Sequence, residues 1–231
     1  MKKPSILFLR LLAGAACTEK GEPKQNLPRF RHFVGSYIEP DTIVAWVGYP
    51  PPDPALPRHS ASEAVYDRMA VGINLGYTPS QTVIIRDTGP TAGRYDSICR
   101  ANGDTSYYSH QTLTLATHRR VESLHVVSDQ PYDAAHPAGA SLDDLISIRF
   151  VAADRYIADE YRYTGPGAFF DGRLESLSAF NAKQRRILSF HLELYFRYPP
   201  DAEREHCLHI AYRDEDGKTL RTPLRVVPIG R

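Results

Sequence analysis

Metal-ligating side chains are most concentrated near the C-terminus, at His206, Cys207 and His209. Imidazole nitrogen and thiolate sulfur are ligands that zinc prefers. The surrounding residues alternate as in a β-strand, however, and positions three apart on a strand point to opposite faces. His206 and His209 are therefore not expected to reach one ion. The sequence also contains no Cys-x2-Cys pair and no His-Glu-x-x-His motif, so it predicts neither a metal site nor a cofactor.

Carboxylates form two clusters whose spacing has a structural explanation. The Asp-Glu-Asp-Gly run at residues 214–217 offers oxygen ligands for calcium, but it lacks the EF-hand pattern. Acids that end in Gly between two apolar stretches are typical of a hairpin turn. Asp143 and Asp144 are a pair of the kind used for acid–base chemistry. They follow Ser141 as acids in the first turn of a helix do, and adjacent residues on a helix do not face each other.

Nucleophilic catalysis and phosphate binding have no motif in this chain. The Gly-x-Ser-x-Gly elbow of serine hydrolases is absent. The Gly-Pro-Gly run at residues 165–167 lacks the Lys and the Ser or Thr of a P-loop. The sequence therefore predicts no catalytic residue, although a triad assembled in space from distant residues leaves no such signature.

Tyrosines are numerous, with 14 in the chain beside nine Phe and one Trp. Five tyrosines offer flat rings that can stack on a sugar or a peptide, namely Tyr107, Tyr108, Tyr161, Tyr163 and Tyr195. Exposed aromatic side chains mark binding surfaces. The alternative is that these tyrosines reflect only the preference of Tyr for strands and half-buried faces.

The first seventeen residues have the order of an export signal. Two lysines precede a short apolar run at residues 6–12, small residues at 13–16, and then Cys17. Arg10 interrupts the apolar run, and Gly14 stands where lipoprotein signals usually carry Leu. We expect cleavage before Cys17, acylation of its sulfur, and anchoring in the outer membrane or another membrane facing the periplasm. The alternative is the frayed N-terminus of a cytoplasmic protein.

Cys99 and Cys207 are the cysteines that remain if Cys17 carries lipid. In an oxidising compartment two such residues can form a disulfide. The alternative is two unconnected thiols, because a sequence does not show whether their Cα atoms lie within the ~7 Å that a disulfide requires.

The charge balance argues against a nucleic-acid partner. The chain has 28 basic and 27 acidic residues, and without residues 1–16 it keeps 25 basic and all 27 acidic ones. Both signs are scattered, whereas a nucleic-acid-binding protein carries a basic patch or stripe. The apolar fraction of 42% supports a packed core rather than disorder.

The organisation predicted is a signal peptide at residues 1–16, a lipidated Cys17 with a flexible tether through residue 39, and a single domain at residues 40–231. Residues 18–28 are polar and aperiodic, which is typical of a tether. Residues 43–49 are apolar on both faces, as in a fully buried strand. Residues 188–198 alternate, with Phe190 on the apolar parity, expected to be buried, and Tyr195 on the wet one.

Many short strands separated by turn residues predict a mostly β fold, an antiparallel β-sandwich with one or two short helices. A short helix is expected at residues 61–68 and a capped helical turn at residues 141–144. Strands are expected at residues 43–49, 69–75, 81–86, 107–117, 121–128, 146–150, 188–198, 208–212 and 220–229. We expect the last three of these strands to form an antiparallel meander.

Four segments carry a resemblance to a known family. They are the Lys-rich start leading to Cys17, the residue Cys99, the run at residues 121–145 with its VESLHVVSD and HPAGASLDDL stretches, and the closing strands and turn at residues 209–229. With them the chain resembles a group of uncharacterised lipoproteins exported by Gram-negative bacteria, a domain of unknown function. The resemblance implies a surface or secreted location and an immunoglobulin-like β architecture. It implies no activity and no ligand.

These features favour a non-catalytic binding or structural module of the cell envelope, with a glycan or a protein as its partner. One alternative is an envelope hydrolase acting on glycan or peptide, for which a polar pocket with two convergent acids or a Ser–His contact would argue. Another is a structural subunit of an envelope assembly, for which a long unpaired edge strand would argue. A flat aromatic patch would favour binding.

Overall fold

The computed structural model describes residues 29–48, 70–76, 84–109, 112–162, 173–183, 187–202 and 205–226. Within these ranges the chain is mostly β, as the sequence predicts, with few and short helices. The strands are β1 (Ser36–Ile38), β2 (Thr42–Gly48), β3 (Ala70–Gly76), β4 (Ile85–Arg86), β5 (Ala116–Thr117), β6 (Val121–Ser128), β7 (Ile146–Ala152), β8 (Arg173–Ser176), β9 (Leu188–Phe196), β10 (His206–Asp214) and β11 (Thr219–Val226). The helices are α1 (Ala92–Ala101), α2 (Asp154–Ala158) and α3 (Leu177–Ala182).

The strands form two sheets. The larger sheet has the order β2-β3-β9-β5-β1-β4, and β7 pairs with both β9 and β8. The smaller sheet has the order β11-β10-β6. Among the strand ladders of the described residues, only β1–β5 is parallel. Most ladders join strands that are distant in the chain, and β10–β11 is the sequential pair joined by a short turn.

The main hydrophobic core collects side chains from both sheets. Ile73 and Leu194 of the larger sheet belong to the same buried cluster as Ile210 and Tyr212 of the smaller one. Complete burial of a large aliphatic side chain stabilises a fold by roughly 1.5–3 kcal/mol. This core fixes the inner residues of β2, β3, β7 and β9, so the alternate residues of these strands are held on the opposite, outer face.

A second buried cluster joins α1 to β1, β4 and β5. Tyr95, Ile98 and Cys99 recur at the spacing of one helix face, and all three are buried. A short 3-10 turn at Gly89–Thr91 leads into the helix, and Pro is tolerated there because the first turn does not use its missing N–H. No helix is predicted from the sequence at this position, although Pro followed by this spacing is a usable signal.

The predicted meander of the last three strands is wrong. β10 and β11 form a hairpin, but β9 lies in the larger sheet between β3, β5 and β7. After β9 the chain turns at Pro199 and Pro200. β10 then pairs with β11 on one side and with β6 on the other. Alternation reports which residues of a strand are buried and carries no information about the neighbouring strand, so the pairing of β10 with β6 is evident only in the fold.

Two side chains of β9 depart from the predicted alternation. Phe190 is 37% exposed, because residues 189–191 lie opposite the single residue Val151 of β7 and the strand loses its regular register there. Tyr195 is 4% exposed on the outer face, where the guanidinium of Arg149 lies 4.9 Å from its ring centroid.

Residues 43–49 were expected to be fully buried, yet Val44 is 50% exposed.

At the capped helical turn expected for residues 141–144, the structure has a turn at 143–145 that does not extend into a helix. The hydroxyl of Ser141 accepts a hydrogen bond from the Asp143 N–H, and the Asp143 carboxylate accepts one from the Val126 N–H of β6. Among the described residues of the strand expected at 107–117, β5 is the part that forms, and β4 lies in the described part, residues 84–86, of the strand expected at 81–86. The helix expected at residues 61–68 lies outside the described residues.

The folded region begins before the predicted boundary at residue 40. Phe33, Val34, Tyr37 and Ile38 are buried, and β1 pairs with β4 and β5. The last ten residues of the predicted tether are therefore part of the fold. Residues 1–28, with the expected signal peptide and Cys17, lie outside the described residues. None of the helices in the described ranges is long and apolar enough to cross a lipid bilayer.

Candidate binding surface

The outer face of the larger sheet carries an exposed aromatic patch bordered by polar groups. We call it the Trp46 face and define it by the outward side chains of β2, β3, β7 and β9, namely Trp46, Asn74, Arg149, His191, Glu193 and Tyr195. The ladder register places Trp46, Gly72, Glu193 and Arg149 in one row across the four strands. Neighbours on the same face of adjacent strands are within contact distance, so the register alone brings these groups together.

Trp46 covers the backbone of Gly72 on the neighbouring strand. A Cβ atom built on Gly72 would lie 2.4 Å from Cε2 and Cζ2 of the indole, so only glycine leaves room for the ring. The ring also stacks beside His191, with the ring centroids 5.6 Å apart and the planes 30° apart. Trp46 is still 37% exposed. The sheet therefore presents an indole to solvent on a rigid support.

Polar contacts hold the side chains around the indole. Nδ1 of His191 lies 3.0 Å from Oδ1 of Asn74, and its Nε2 lies 3.6 Å from Oε1 of Glu193. The other carboxylate oxygen of Glu193 accepts a hydrogen bond of 2.8 Å from the Tyr195 hydroxyl and lies 3.1 Å from Nε of Arg149. Arg149 and Glu193 balance each other, so this face presents donors and acceptors with little net charge.

The patch combines one exposed indole with groups that donate and accept hydrogen bonds. An exposed indole offers a large apolar area at little cost in side-chain entropy, and it stacks on the C–H face of a ring. Amide, imidazole, guanidinium and carboxylate groups within the same rows can exchange hydrogen bonds with hydroxyls. No metal or cofactor is needed for such binding.

A Ser–His contact also occurs, but it is enclosed in the protein. The hydroxyl of Ser128 lies 2.8 Å from Nδ1 of His206, and it accepts a further hydrogen bond from the Gln130 N–H. Ser128 is 1% exposed and His206 is completely buried. The ring of Tyr132 lies against His206, with centroids 5.6 Å apart. Because neither side chain is open to solvent, the contact ties β6 to β10 and offers no nucleophile to a substrate.

The two adjacent acids Asp143 and Asp144 bind different histidines. Asp143 lies 2.6 Å from Nδ1 of His125, whereas Asp144 lies 3.1 Å from Nε2 of His136. Nδ1 of His136 in turn lies 2.6 Å from Asp133. The two adjacent carboxylates therefore have different partners, His125 for Asp143 and His136 for Asp144. The hairpin turn predicted at residues 214–217 forms, with Gly217 at a φ of 84°.

His206 and His209 lie on different faces of β10, since His206 is buried and His209 is exposed.

The cysteines lie in separate parts of the fold. Cys99 is buried in α1, where burial raises the pKa of its thiol to about 12, and Cys207 is half-buried in β10. Both are free thiols in the structure. Their pairing in an oxidising compartment stays a prediction, and so does the lipid on Cys17.

The predicted tyrosine cluster divides between core and surface. Tyr107 is buried against Tyr161, with centroids 5.0 Å apart, and Tyr108 is 68% exposed. Tyr163 lies outside the described residues. No motif in the sequence points to Trp46. One usable signal is that Trp46, the only Trp of the chain, alternates with Ile43, Ala45 and Val47, the residues of β2 that pack on the core.

Comparison with known proteins finds no match among protein-family models, curated proteins or solved structures.

Proposed function

We propose that this protein is a non-catalytic binding module of the bacterial cell envelope, anchored through lipid on Cys17, and that it binds glycan on the Trp46 face. The observation that carries the proposal is the exposed indole of Trp46 on Gly72, beside a row of polar side chains. We also propose that its two sheets belong to the immunoglobulin-like class of β architecture. The lipid would tether the module, and the sheet face would engage glycan within reach of the tether.

A glycan fits this face better than a protein partner does. A stable protein interface of standard size buries about 800 Å² on each partner and has an apolar centre. Among the described residues, the exposed apolar groups are Trp46 on this face and Val44 beside it on β2, and the row beyond them is polar. A single indole with hydrogen-bonding neighbours matches the dimensions of one or two sugar rings, whose hydroxyl groups need polar partners.

The two other candidate functions have weaker support. A hydrolase needs solvent access to its nucleophile, and the Ser128–His206 contact is enclosed. A strand-exchanging subunit needs an unpaired edge that can pair along its length. Three of the longer strands lie at a sheet edge in the described residues. β11 has Pro223 in its middle, with no N–H to donate, and on β6 the N–H groups of Leu124 and Val126 already bond to side chains. The seven-residue β2 is the edge that could still pair.

The test uses Trp46 as its own reporter, since it is the only Trp of the chain. Purified protein is titrated with soluble chitooligosaccharides, muropeptides and lipopolysaccharide core oligosaccharides while indole emission is followed. Cosedimentation with peptidoglycan sacculi provides a second measurement. We expect one glycan class to change the emission saturably and Trp46→Ala to abolish cosedimentation. Tyr108→Ala, which removes another exposed aromatic ring, is the matched control and should bind as wild type does.

Two results would overturn different parts of the proposal. Binding that persists in Trp46→Ala, or the absence of binding to every glycan tested, would reject the Trp46 face as a glycan site. The anchor is tested separately by intact mass and detergent partitioning of wild type and Cys17→Ala expressed in a Gram-negative host. A wild-type chain that keeps Met1 and stays in the cytosol would reject the envelope location.

A further inference from the structure

Three metal-ligating side chains meet in the second cluster, away from the Trp46 face. They are His32 in the segment before β1, Cys99 in α1, and Asp104 just after α1. A ring nitrogen of His32, Sγ of Cys99 and a carboxylate oxygen of Asp104 all lie within 4.8 Å of one another. Cys99 and Asp104 are completely buried, and His32 is half-buried.

Asp104 is a buried carboxylate with spare coordinating capacity. It accepts hydrogen bonds from the N–H groups of Phe33 and Val34, at 2.8 and 3.0 Å, and from the hydroxyl of Tyr161 at 2.8 Å. A carboxylate has about four lone-pair positions, so one remains. Within the described part of the chain no Lys or Arg forms an ion pair with Asp104. Buried charges in proteins are paired with an opposite charge or coordinate a metal ion, and the described residues give this carboxylate no Lys or Arg as a counter-charge.

His32 has one ring nitrogen fixed by a hydrogen bond and one available to a metal ion. Its Nδ1 hydrogen-bonds to the backbone carbonyl oxygen of Asp104, which requires Nδ1 to carry the proton. In a neutral imidazole the proton on Nδ1 leaves the lone pair on Nε2, and metal-ligating histidines are typically fixed by such a bond from the other nitrogen. The edge of the Tyr95 ring packs against His32 with centroids 5.4 Å apart and holds its plane. Nε2 has no hydrogen-bond partner among the described residues.

The mixed donor set selects the class of ion. Imidazole, thiolate and carboxylate together suit zinc and similar divalent transition ions, whereas calcium and magnesium bind oxygen alone. Zinc–ligand bonds of about 2.0–2.3 Å put the ligand atoms of a tetrahedral site under about 4 Å apart, so the three side chains, whose ligand atoms lie within 4.8 Å of one another, close slightly around the ion. Three protein ligands leave the fourth position for water.

We propose that His32, Cys99 and Asp104 form a zinc-binding site. On binding, Cys99 releases its thiol proton to solvent and bonds to the ion as thiolate, and the charge of the ion compensates that of Asp104. The ion then cross-links the segment before β1 to α1. It would thus fasten the point where the proposed tether enters the fold, independently of the glycan site.

The experiment titrates the metal-free, reduced full chain with Co²⁺, whose thiolate complexes absorb by charge transfer in the near ultraviolet. A Cys17→Ser, Cys207→Ser background leaves Cys99 as the only cysteine, since the chain has three. We expect one Co²⁺ per chain with a thiolate charge-transfer band, displacement of Co²⁺ by Zn²⁺, and a higher Tm with Zn²⁺. Cys99→Ser should abolish the band, and His32→Gln should weaken affinity at least tenfold.

Neighbouring groups supply further variants. Tyr161→Phe removes a hydrogen bond to Asp104, and loss of such a partner typically weakens metal binding about 10- to 100-fold. Tyr108→Phe, on an exposed ring, is the matched control. Circular dichroism establishes that each variant is folded. If Cys99→Ser does not fold, the half-buried His32→Gln still decides the question. The proposal is overturned if the parent shows no thiolate band, or if His32→Gln binds Co²⁺ with parental affinity.

Discussion

The indole of Trp46 occupies the space that a side chain at residue 72 would need, so Gly72 is required by its neighbour and not by its own backbone. A Cβ at residue 72 would come within 2.4 Å of two ring carbons, and no positive φ applies to this glycine. An atom pair at that distance overlaps severely, and the indole is the group that can move. The position of the indole on the Trp46 face therefore depends on the absence of a side chain at Gly72 of β3.

We expect Gly72→Ala to displace the indole and to abolish glycan binding while the fold is kept. The methyl group forces the ring off the sheet, and its emission should shift to longer wavelength as exposure to water increases. The measurement is indole emission together with cosedimentation on sacculi. Gly93→Ala is the matched control, because a Cβ at that position of α1 meets nothing within 4 Å. Wild-type emission in Gly72→Ala would contradict the placement of the ring.

The strand content was predictable because strand periodicity is local. The pattern at residues 121–128 gives β6 with its observed bounds, and β9 begins at Leu188 as expected. Partners of strands were not predictable, because β6 and β10 meet across some eighty residues of chain. The failure at Phe190 has the same origin, since its exposure follows from a register shift against β7.

The candidate sites were less predictable than the fold. Trp46, Asn74, Arg149 and His191 become neighbours only through ladder register, and none of them has a motif spacing. The cluster of His32, Cys99 and Asp104 combines a residue before the first strand with two from α1 and its end. Zinc motifs recognised from sequence rely on ligands within a few residues of each other, so such a cluster leaves no signature.

Asp104→Asn should destabilise the metal-free protein by about 3 kcal/mol. The substitution turns one carboxylate oxygen into an amide that cannot accept a hydrogen bond, so a buried N–H of Phe33 or Val34 loses its charged partner. The measurement is urea unfolding followed by circular dichroism. Asp96→Asn, on the exposed side of α1, should change stability by less than about 0.5 kcal/mol. Equal stabilities for the two variants would show that the Asp104 hydrogen bonds contribute little.

Stability should fall as the pH rises above neutrality, in part through His136. Its hydrogen bond to Asp133 raises the pKa of His136 above 6.5, with Asp144 adding to the effect. Burial alone would raise the pKa of Asp133, but the bonds from His136 and the Ala135 N–H lower it below 3.8. The His136 contribution is fully present below pH 6.5 and is lost as the pH rises through the folded-state pKa, whereas the Asp133 contribution is present above pH 3.8 and lost below it.

The loop is therefore most stabilised between about pH 4 and pH 6.5, where His136 is protonated and Asp133 is ionised. Urea unfolding at intervals from pH 5 to pH 8.5 should show a decline for wild type that is shallower in His136→Gln. His209→Gln, an exposed histidine of β10, is the matched control and should keep the wild-type slope. Identical slopes for wild type and His136→Gln would reject this assignment.

Ser128→Ala separates a structural role from a catalytic one. The hydroxyl of Ser128 is bonded to buried His206 and accepts the Gln130 N–H, so its removal leaves two buried polar groups without that partner. Such a loss costs about 1–3 kcal/mol, and we expect a lower urea midpoint with binding on the Trp46 face unchanged. Ser97→Ala, on the exposed side of α1, should be near neutral.

A hydrolase would respond differently to Ser128→Ala. It would lose turnover of its glycan or peptide substrate with little change in stability. Turnover of sacculi or muropeptides by wild type that disappears in a fully stable Ser128→Ala would refute the enclosed, structural role of this contact.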